Sequence, residues 1–288
     1  MTAHIIADSA CDLPQGFDEN LTVVPLTVAF GSTVYRDGVD LDQHRFYELL
    51  VESDDLPTTS QIPPFGFTQA IEQVHGRGID DIVVITVSSK LSGTYQSASI
   101  AAHEAEGTPG LSVTVVDSLN VTLGENVLVR YALRLAAQGL SGAEIARELT
   151  VARGRVGVIA LLDTLEYLRR GGRVPAASAA IGELLSIKPG VGVEDGEVKV
   201  LGKARGSKNG RNLLNRRVEE LGGIDFTLPV CLGYSGLSDK LLQKYIDDSG
   251  RLWEGHCTRE ELPICLVGAT IGTHVGPGAI AVAFFHNA

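Results

Sequence analysis

Apolar runs alternate with amphipathic stretches along the first half of the chain. Four of these runs are rich in β-branched residues and predict buried strands, at 4–8, 23–30, 81–87 and 111–117. The amphipathic stretches predict helices at 42–51, 64–75, 92–104, 121–138 and 142–153, with a polar loop at 53–64. Strands that alternate with helices at this spacing form right-handed βαβ units around a parallel sheet. The pattern predicts an α/β domain over residues 1–154.

The pattern changes near residue 155. Asp195-Gly196 lies between the apolar runs 187–193 and 197–203, which predicts a two-residue β-hairpin. Further strands are predicted at 156–162, 229–234 and near the C-terminus, and further helices at 164–170, 176–185, 209–221 and 239–248. A hairpin pairs its strands antiparallel, so we expect a mixed sheet in this half. The chain is predicted to be an α/β protein of two domains, the second an α+β domain over residues 155–288.

Composition narrows the class of protein. Of the 288 residues, 44% are hydrophobic and 20% are charged, as in ordinary globular proteins. The formal net charge of −11 argues against a protein that binds nucleic acids or anionic membranes, because attraction to phosphates needs clustered Lys and Arg. The apolar stretch 265–285 contains four glycines and a proline, which disfavour a membrane-spanning helix. An integral membrane protein is therefore not expected.

The N-terminal segment and the cysteines indicate a cytoplasmic protein. The segment lacks the basic start and long apolar run of a signal peptide. The four cysteines show no CxxC spacing, and three of them lie in or beside apolar runs. Buried thiols in a reducing compartment are the favoured interpretation. A nucleophilic role for Cys11 has no second observation behind it.

A serine-rich segment follows the strand predicted at 81–87 and opens the next helix. Parallel sheets place ligands at the carboxyl ends of their strands, and free N–H groups at a helix start attract anions. The hydroxyl groups of Ser88, Ser89, Ser92 and Thr94 suit a carboxylate or a phosphate. N-capping by Ser92, with the other hydroxyls solvated, explains the spacing equally well.

Two other loops carry candidate polar groups. Pro63 and Pro64 stiffen the loop that holds Thr59 and Ser60, although a plain capping loop is the favoured interpretation. Asp8 and Asp12 follow the first strand and have the residue type for a metal site or for acid–base chemistry. No Cys, His or Asp cluster elsewhere completes a metal site. Capping of the next turn by Asp8 is therefore favoured.

His274 lies in a glycine-rich stretch without any other ionisable residue. We expect the chain to turn sharply around it, because three glycines and a proline lie nearby, at Gly272, Gly276, Pro277 and Gly278. An unpaired buried polar group costs ~1–3 kcal/mol, so the ring needs a partner or a ligand. A core histidine bound to a backbone carbonyl is the favoured interpretation of the ring taken by itself.

A basic run stands out against the acidic background. Between Lys199 and Arg217 the chain has seven Lys or Arg residues and no acid. Such a run is usually a solvated face. A surface that docks a phosphate or a protein is the alternative.

Six segments together resemble the DegV family, in order and across nearly the whole chain. They are Asp8-Ser-x-x-Asp-Leu-Pro, Thr59-Ser-Gln-x-x-Pro, Ser88-Ser-x-Leu-Ser-Gly-Thr-Tyr-x-Ser-Ala, Leu165-x-Tyr-Leu-x-x-Gly-Gly-Arg, Lys188-Pro and Gly272-Thr-His-Val-Gly-Pro-Gly. The resemblance implies a two-domain protein that holds one long-chain fatty acid in a tunnel between its domains. It implies a lipid-binding protein without catalytic residues, and with no cofactor besides the bound lipid.

The resemblance also implies a partner. Relatives that serve as binding subunits of bacterial fatty-acid kinase present the bound carboxyl group to a separate ATP-dependent kinase. The product is an acyl phosphate, which is used for membrane phospholipid synthesis. The kinase-facing basic position most nearly matches Arg205. The run of basic residues is interrupted here by Gly206 and Gly210, whereas relatives usually carry a denser run of Arg and Lys.

Carried over residue by residue, the resemblance assigns the binding site. The carboxylate site of the family falls on Thr59, Ser92 and His274. The surrounding residues are Ser60, Ser89, Gly93 and Thr94. The small or aliphatic residues at 176–185 and Ile187 are candidates for the tunnel wall. No metal ligands are assigned.

Two other functions compete with lipid binding. The first is an acyl hydrolase with Ser92 as nucleophile and His274 as base, although no Gly-x-Ser-x-Gly elbow is present. The second is a protein that binds a phosphorylated small molecule through the serine-rich helix start and the basic run. Against this second function, the chain lacks a glycine-rich phosphate-binding motif.

Overall fold

A computed structural model describes residues 2–53, 55–174 and 187–287. Its strands are β1 (His4–Asp8), β2 (Leu21–Val24), β3 (Thr27–Phe30), β4 (Thr33–Arg36), β5 (Thr58–Ser60), β6 (Asp81–Thr86), β7 (Ser112–Asp117), β8 (Val156–Leu161), β9 (Ile187–Glu194), β10 (Glu197–Arg205), β11 (Cys231–Tyr234), β12 (Ile264–Leu266) and β13 (Ile280–Phe285). Its helices are α1 (Gln43–Glu52), α2 (Pro64–His75), α3 (Thr94–Ala105), α4 (Leu123–Ala137), α5 (Gly142–Ala152), α6 (Glu166–Arg170), α7 (Gly206–Glu220), α8 (Lys240–Asp248), α9 (Gly250–Trp253) and α10 (Ala269–Val275).

The first half of the chain builds a parallel sheet with helices on both faces. Its strand order is β2-β1-β6-β7, and every pair is parallel. Helices α2 and α3 contribute to the apolar core on one face, and α4 and α5 contribute to the core on the other. Burial on both faces explains why these strands are nearly continuous apolar runs. The predicted βαβ organisation is confirmed.

The second half builds a mixed sheet of six strands. Its order is β10-β9-β8-β13-β11-β12, and β11 and β12 form its parallel pair. The predicted hairpin joins β9 to β10 through Asp195 and Gly196, which have φ angles of 51° and 82°. These left-handed conformations are those that a two-residue type I′ turn requires. The predicted mixed sheet is confirmed.

A third sheet departs from the sequence prediction. The apolar run 23–30 predicts one strand, but Pro25 separates β2 of the parallel sheet from β3 of a small antiparallel sheet with order β4-β3-β5. Proline has no N–H to donate and breaks the ladder at this point. Strand β5 lies inside the segment predicted as a loop. The sequence does not predict this strand, because three residues are too few to show an alternating pattern.

The two sheets are joined through α4 and α10. Helix α4 packs against β1 of the parallel sheet and against β13 of the mixed sheet. A side chain at Gly124 would collide with Val158 of β8, so glycine permits this close approach. Helix α10, from the second half, packs against β3, β5 and α1 of the first. We propose a domain boundary between residues 154 and 155, ahead of β8.

Two further predictions concern helices. Among the residues that the structure describes, no helix has the length and apolar character needed to span a membrane. The helix predicted at 176–185, which with Ile187 is a candidate for the tunnel wall, lies outside the described residues.

Candidate functional site

A cavity lies between the parallel sheet and the mixed sheet. It measures about 820 Å³, counting the part that is open to solvent. Most of the described wall is apolar and comes from both halves of the chain, with Leu26, Val87, Leu91 and Val121 from the first and Val158, Ala160, Val191 and Val193 from the second. The wall also contains polar side chains, among them Thr59, Ser60, Gln61, Ser92, Arg173 and His274. An apolar cavity with few polar groups is typical of a small-molecule site.

Thr59 and His274 meet across the boundary between the two halves. Strand β5 presents Thr59, and the last turn of α10 presents His274. Thr59 Oγ1 and His274 Nε2 lie 2.9 Å apart and share a hydrogen bond. The ring is therefore not a core histidine bound to a backbone carbonyl through Nε2.

The predicted sharp turn around His274 is wrong in its position. The residue is helical, and the chain leaves the helix at Gly276, which has a φ angle of 70°. Gly272 serves packing inside the helix, because a side chain there would come within 2.5 Å of the ring of Phe46 and 2.8 Å of the hydroxyl of Tyr47.

The ring of His274 is neutral at pH 7. Burial, together with the positive charge of Arg173, lowers its pKa to about 4. A neutral imidazole has one N–H group and one acceptor nitrogen. Within the described chain Nδ1 is buried without a hydrogen-bond partner. With the proton on Nε2, the ring donates to Thr59 Oγ1, and both side chains line the cavity.

Ser92 lies in the cavity wall just ahead of α3. Its Oγ is 2.8 Å from Thr94 Oγ1 and accepts a hydrogen bond from the backbone N–H of Thr94. Ser92 therefore lines the cavity, but the predicted N-cap is wrong in its position, because Gly93 occupies the N-cap of α3 and no side chain caps the helix there. Gly93 lets this turn approach Gln61, the residue after β5, because a side chain at Gly93 would collide with the amide of Gln61.

The other predicted site residues occupy different places. Ser60 lies in the cavity wall, and Thr94 is fully buried behind Ser92. Ser89 lies outside the wall that the structure describes, and its backbone N–H donates to Asp117. Ile187 is partly buried at the start of β9 and is also outside the described wall.

Arg173 is the residue that the sequence assignment leaves out. It is the cation of the described cavity wall, and its Nη1 donates to the carbonyl of Gly171 at 2.6 Å. Gly171 packs directly beneath the ring of His274, where any side chain would overlap Nδ1. Both residues belong to the quoted segment that begins at Leu165. The sequence thus contains a signal for these two residues in that segment. Their place in the site, however, depends on how the segment contacts α10.

The residues around the first strand are structural. Asp8 caps the turn Ser9–Cys11 by accepting from the N–H of Ala10 at 2.9 Å, as predicted. Burial raises the pKa of the Cys11 thiol well above its usual value, and the nearby carboxyl of Glu125 adds to the rise. A nucleophilic cysteine needs the opposite shift. The described residues contain no group of three or more His, Cys, Asp or Glu side chains suited to a metal ion.

The family of the chain follows from its sequence as a whole. The family model described as "Uncharacterised protein, DegV family" matches residues 2–287. The chain belongs to the DegV family. The DegV domain-containing protein of Caldanaerobacter subterraneus subsp. tengcongensis is 34% identical over 282 residues, 97% of each chain.

Solved DegV structures share the fold. A fatty-acid-binding DegV family protein from Thermus thermophilus superposes with a TM-score of 0.85 at 30% identity, and the match covers 99% of this chain and 100% of that one. The Fatty Acid Kinase (Fak) B3 protein of Streptococcus pneumoniae, loaded with linoleic acid, superposes with a TM-score of 0.86 at 25% identity over 100% of both chains. These neighbours confirm the two-domain architecture of the DegV fold.

The basic run of this DegV chain contains both exposed and buried residues. Lys203, Arg205 and Lys208 are exposed where β10 passes into α7. Arg211, by contrast, is buried and bonds to Asp248. The structure explains why glycine occupies positions 206 and 210 among these residues. Gly206 adopts a φ angle of 78°, and a side chain at Gly210 would collide with Leu161.

Proposed function

We propose that the protein binds one long-chain fatty acid in the cavity between its two sheets. The observation that carries the proposal is the Thr59–His274 pair in the wall of an otherwise mainly apolar cavity, with Ser92 in the same wall. The apolar wall takes the acyl chain, at ~0.8 kcal/mol for each buried CH₂ group. Two hydroxyls and one imidazole N–H take the carboxylate, which needs donors to offset its desolvation. The fatty acids in the neighbouring structures from T. thermophilus and S. pneumoniae support this ligand class.

The contacts of Ser92 and His274 favour a binding protein over an acyl hydrolase. A catalytic histidine needs an orienting acid on its second ring nitrogen. Nδ1 of His274 has no such partner in the part of the chain that the structure describes. The hydroxyl of Ser92 bonds to Thr94 rather than to His274. In this account the protein is non-catalytic and needs no cofactor.

Native mass spectrometry of the purified protein tests lipid binding. We expect a species heavier than the apo chain by the mass of one fatty acid, and the delipidated protein should take up one palmitate or oleate. Phosphate in large excess should not displace the lipid, whereas a binder of phosphorylated molecules would lose it. Protein that stays empty in the presence of palmitate and oleate contradicts the proposal.

We further propose that a separate ATP-dependent kinase phosphorylates the bound carboxyl group. The similarity to the Fak B3 protein supports this step. The exposed cations Lys203, Arg205 and Lys208 form a surface that complements an acidic partner. The resulting acyl phosphate would supply phospholipid synthesis.

Reversing the charge at Arg205 should separate partner docking from lipid binding. We expect Arg205→Glu to lower acyl-phosphate formation with ATP and a cognate fatty-acid kinase by at least about tenfold, because like charges across an interface cost several kcal/mol and each step of about 1.4 kcal/mol is a factor of ten. The dissociation constant for palmitate should stay unchanged. The matched control is Arg147→Glu on the exposed face of α5. Equal effects of the two substitutions on the kinase assay would contradict the assignment of Arg205.

A methyl group at Gly171 should disturb the carboxylate site. The added Cβ would overlap Nδ1 of His274, so the ring must move away from Thr59. We expect Gly171→Ala to weaken palmitate binding by about tenfold or more, the value of one hydrogen bond to a charged group. Isothermal titration calorimetry measures the effect against Gly107→Ala, where an added Cβ meets nothing within 4 Å. A dissociation constant equal to that of the control would show that the ring position does not matter.

A further inference from the structure

Two buried carboxyl groups from the first half of the chain hold the start of α10. The backbone N–H of Gly268 donates to Asp12 Oδ1 at 2.8 Å. The N–H groups of Ala269 and Thr270 donate to Asp37 at 3.1 and 3.0 Å. The first N–H groups of a helix have no partner inside the helix, and the carboxyl oxygens of Asp12 and Asp37 accept from three of them. The position of α10 is therefore set by Asp12 and Asp37.

Asp12 also holds a residue of the cavity wall. The hydroxyl of Thr122 donates to Asp12 Oδ2 at 2.5 Å, and Thr122 lines the cavity. Thr122 has φ and ψ angles of 52° and −126°. A β-branched residue at positive φ is a genuine outlier, and such a conformation persists only where its surroundings hold it. The side-chain hydrogen bond to Asp12 is such a restraint.

The carboxyl group of Asp12 thus connects Thr122 in the cavity wall with α10, the helix that carries His274. From Gly268 to His274 the chain rises by about 9 Å, at 1.5 Å for each residue. Packing under Gly272 and the bond from the Tyr47 hydroxyl to the carbonyl of Val267 hold the helix against the first half. A displacement at Gly268 is therefore carried along one short helix to the ring.

We propose that Asp12 is a positioning residue for the fatty-acid carboxyl group. Because Asp12 accepts hydrogen bonds from both Thr122 and Gly268, it fixes the distance between Thr122 in the cavity wall and the ring of His274. The inference rests on the proposed function, since it concerns the same ligand. It adds a residue that touches neither the lipid nor the partner. Its substitution affects the carboxylate end of the ligand more than the acyl end, because Asp12 bonds Thr122 and Gly268, whereas the apolar wall residues Val158 and Val193 lie on β8 and β9.

Two ligands of equal chain length distinguish positioning from general support of the fold. Calorimetry of the full-length Asp12→Ala variant should show that palmitate binds at least about tenfold more weakly, the cost of one misplaced charge-assisted hydrogen bond. The neutral analogue 1-hexadecanol should weaken by less than about threefold. Asp12→Asn should restore palmitate binding, because the amide oxygen accepts from Gly268 and the amide nitrogen donates to Thr122. The control is Asp40→Ala, which removes an exposed carboxylate paired with Arg36.

Other outcomes overturn the inference in recognisable ways. Equal weakening of palmitate and 1-hexadecanol would show that Asp12 only supports the fold, and unchanged palmitate binding would show that it does not position the site. If Asp12→Ala does not fold, Thr122→Val removes the wall contact while it keeps the β-branched shape. It should likewise weaken palmitate selectively, and unchanged binding overturns the inference. Failure of the wild-type protein to bind palmitate would instead contradict the proposed function itself.

Discussion

We expect His274→Ala to weaken the binding of long-chain fatty acids by about tenfold to a hundredfold. The ring supplies the N–H group that faces Thr59, and a hydrogen bond to a charged group contributes about 1.5–3 kcal/mol. The acyl chain keeps its apolar wall, so binding is weakened rather than abolished. The fold should survive, because the ring is only partly buried.

Calorimetric titration with palmitate measures this effect. His103→Ala is the matched control, since His103 is a highly exposed histidine on α3. His274→Gln keeps an N–H donor and should recover part of the affinity. Because burial and Arg173 lower the pKa of His274 to about 4, the ring of the ligand-free protein should stay neutral between pH 6 and pH 8. An unchanged dissociation constant for His274→Ala would remove the ring from the site.

The second large effect that we expect is a gain in stability when Glu125 becomes glutamine, and this gain grows with pH. Glu125 is fully buried in the first turn of α4, and neither of its carboxyl oxygens has a hydrogen-bond partner among the described residues. Burial raises its pKa well above the usual value, and the nearby carboxyls of Asp8, Asp12 and Asp117 raise it further. Glutamine has the shape of the protonated side chain but does not ionise.

The direction of the pH effect follows from proton binding. Above the unfolded-state pKa of 4.5, the unfolded chain loses the proton of Glu125 while the folded chain keeps it. The folded state then binds more protons, so its stability falls as pH rises toward the folded-state pKa. The wild-type protein loses up to about 1.4 kcal/mol for each pH unit in this window, and Glu125→Gln does not. The raised pKa values of Asp8 and Asp12, about 7 and about 8, act in both proteins.

Thermal unfolding at pH 5 and pH 8 tests this expectation. The melting temperatures of wild type and Glu125→Gln should be similar at pH 5. At pH 8 the variant should melt higher by several degrees, at about 2–4 °C for each kcal/mol. Glu148→Gln on the exposed face of α5 serves as the control. A variant that is less stable than wild type at pH 8 would show that the carboxylate has an ionised role.

The regular elements follow from local physical chemistry, and the sequence therefore predicts them well. Strands that are buried on both faces must be apolar throughout, and Asp195-Gly196 has the conformational freedom that its turn needs. The small sheet depends on contacts between distant segments. Nothing local indicates that Thr58–Ser60 pairs with Thr27–Phe30, so the segment resembles a loop.

The candidate site shows the same limit. Thr59, Ser92 and His274 lie far apart in sequence, and spacing alone favours or equally allows a structural role for each. Only the resemblance to the DegV family groups them, and the structure places all three in one cavity wall. The contributions of Gly171 and Arg173 depend on how α6 meets α10, which no local pattern encodes.

A crystal structure of the protein with palmitate shows whether the carboxylate of the lipid binds at Thr59, Ser92 and His274. We expect the carboxylate within about 2.7–3.0 Å of Thr59 Oγ1, Ser92 Oγ and His274 Nε2, the range of hydrogen bonds to charged oxygens. The acyl chain should lie between Val87 and Val121 of the first half and Val158 and Val193 of the second. An empty cavity at saturating palmitate, or a carboxylate away from these three side chains, would contradict the account.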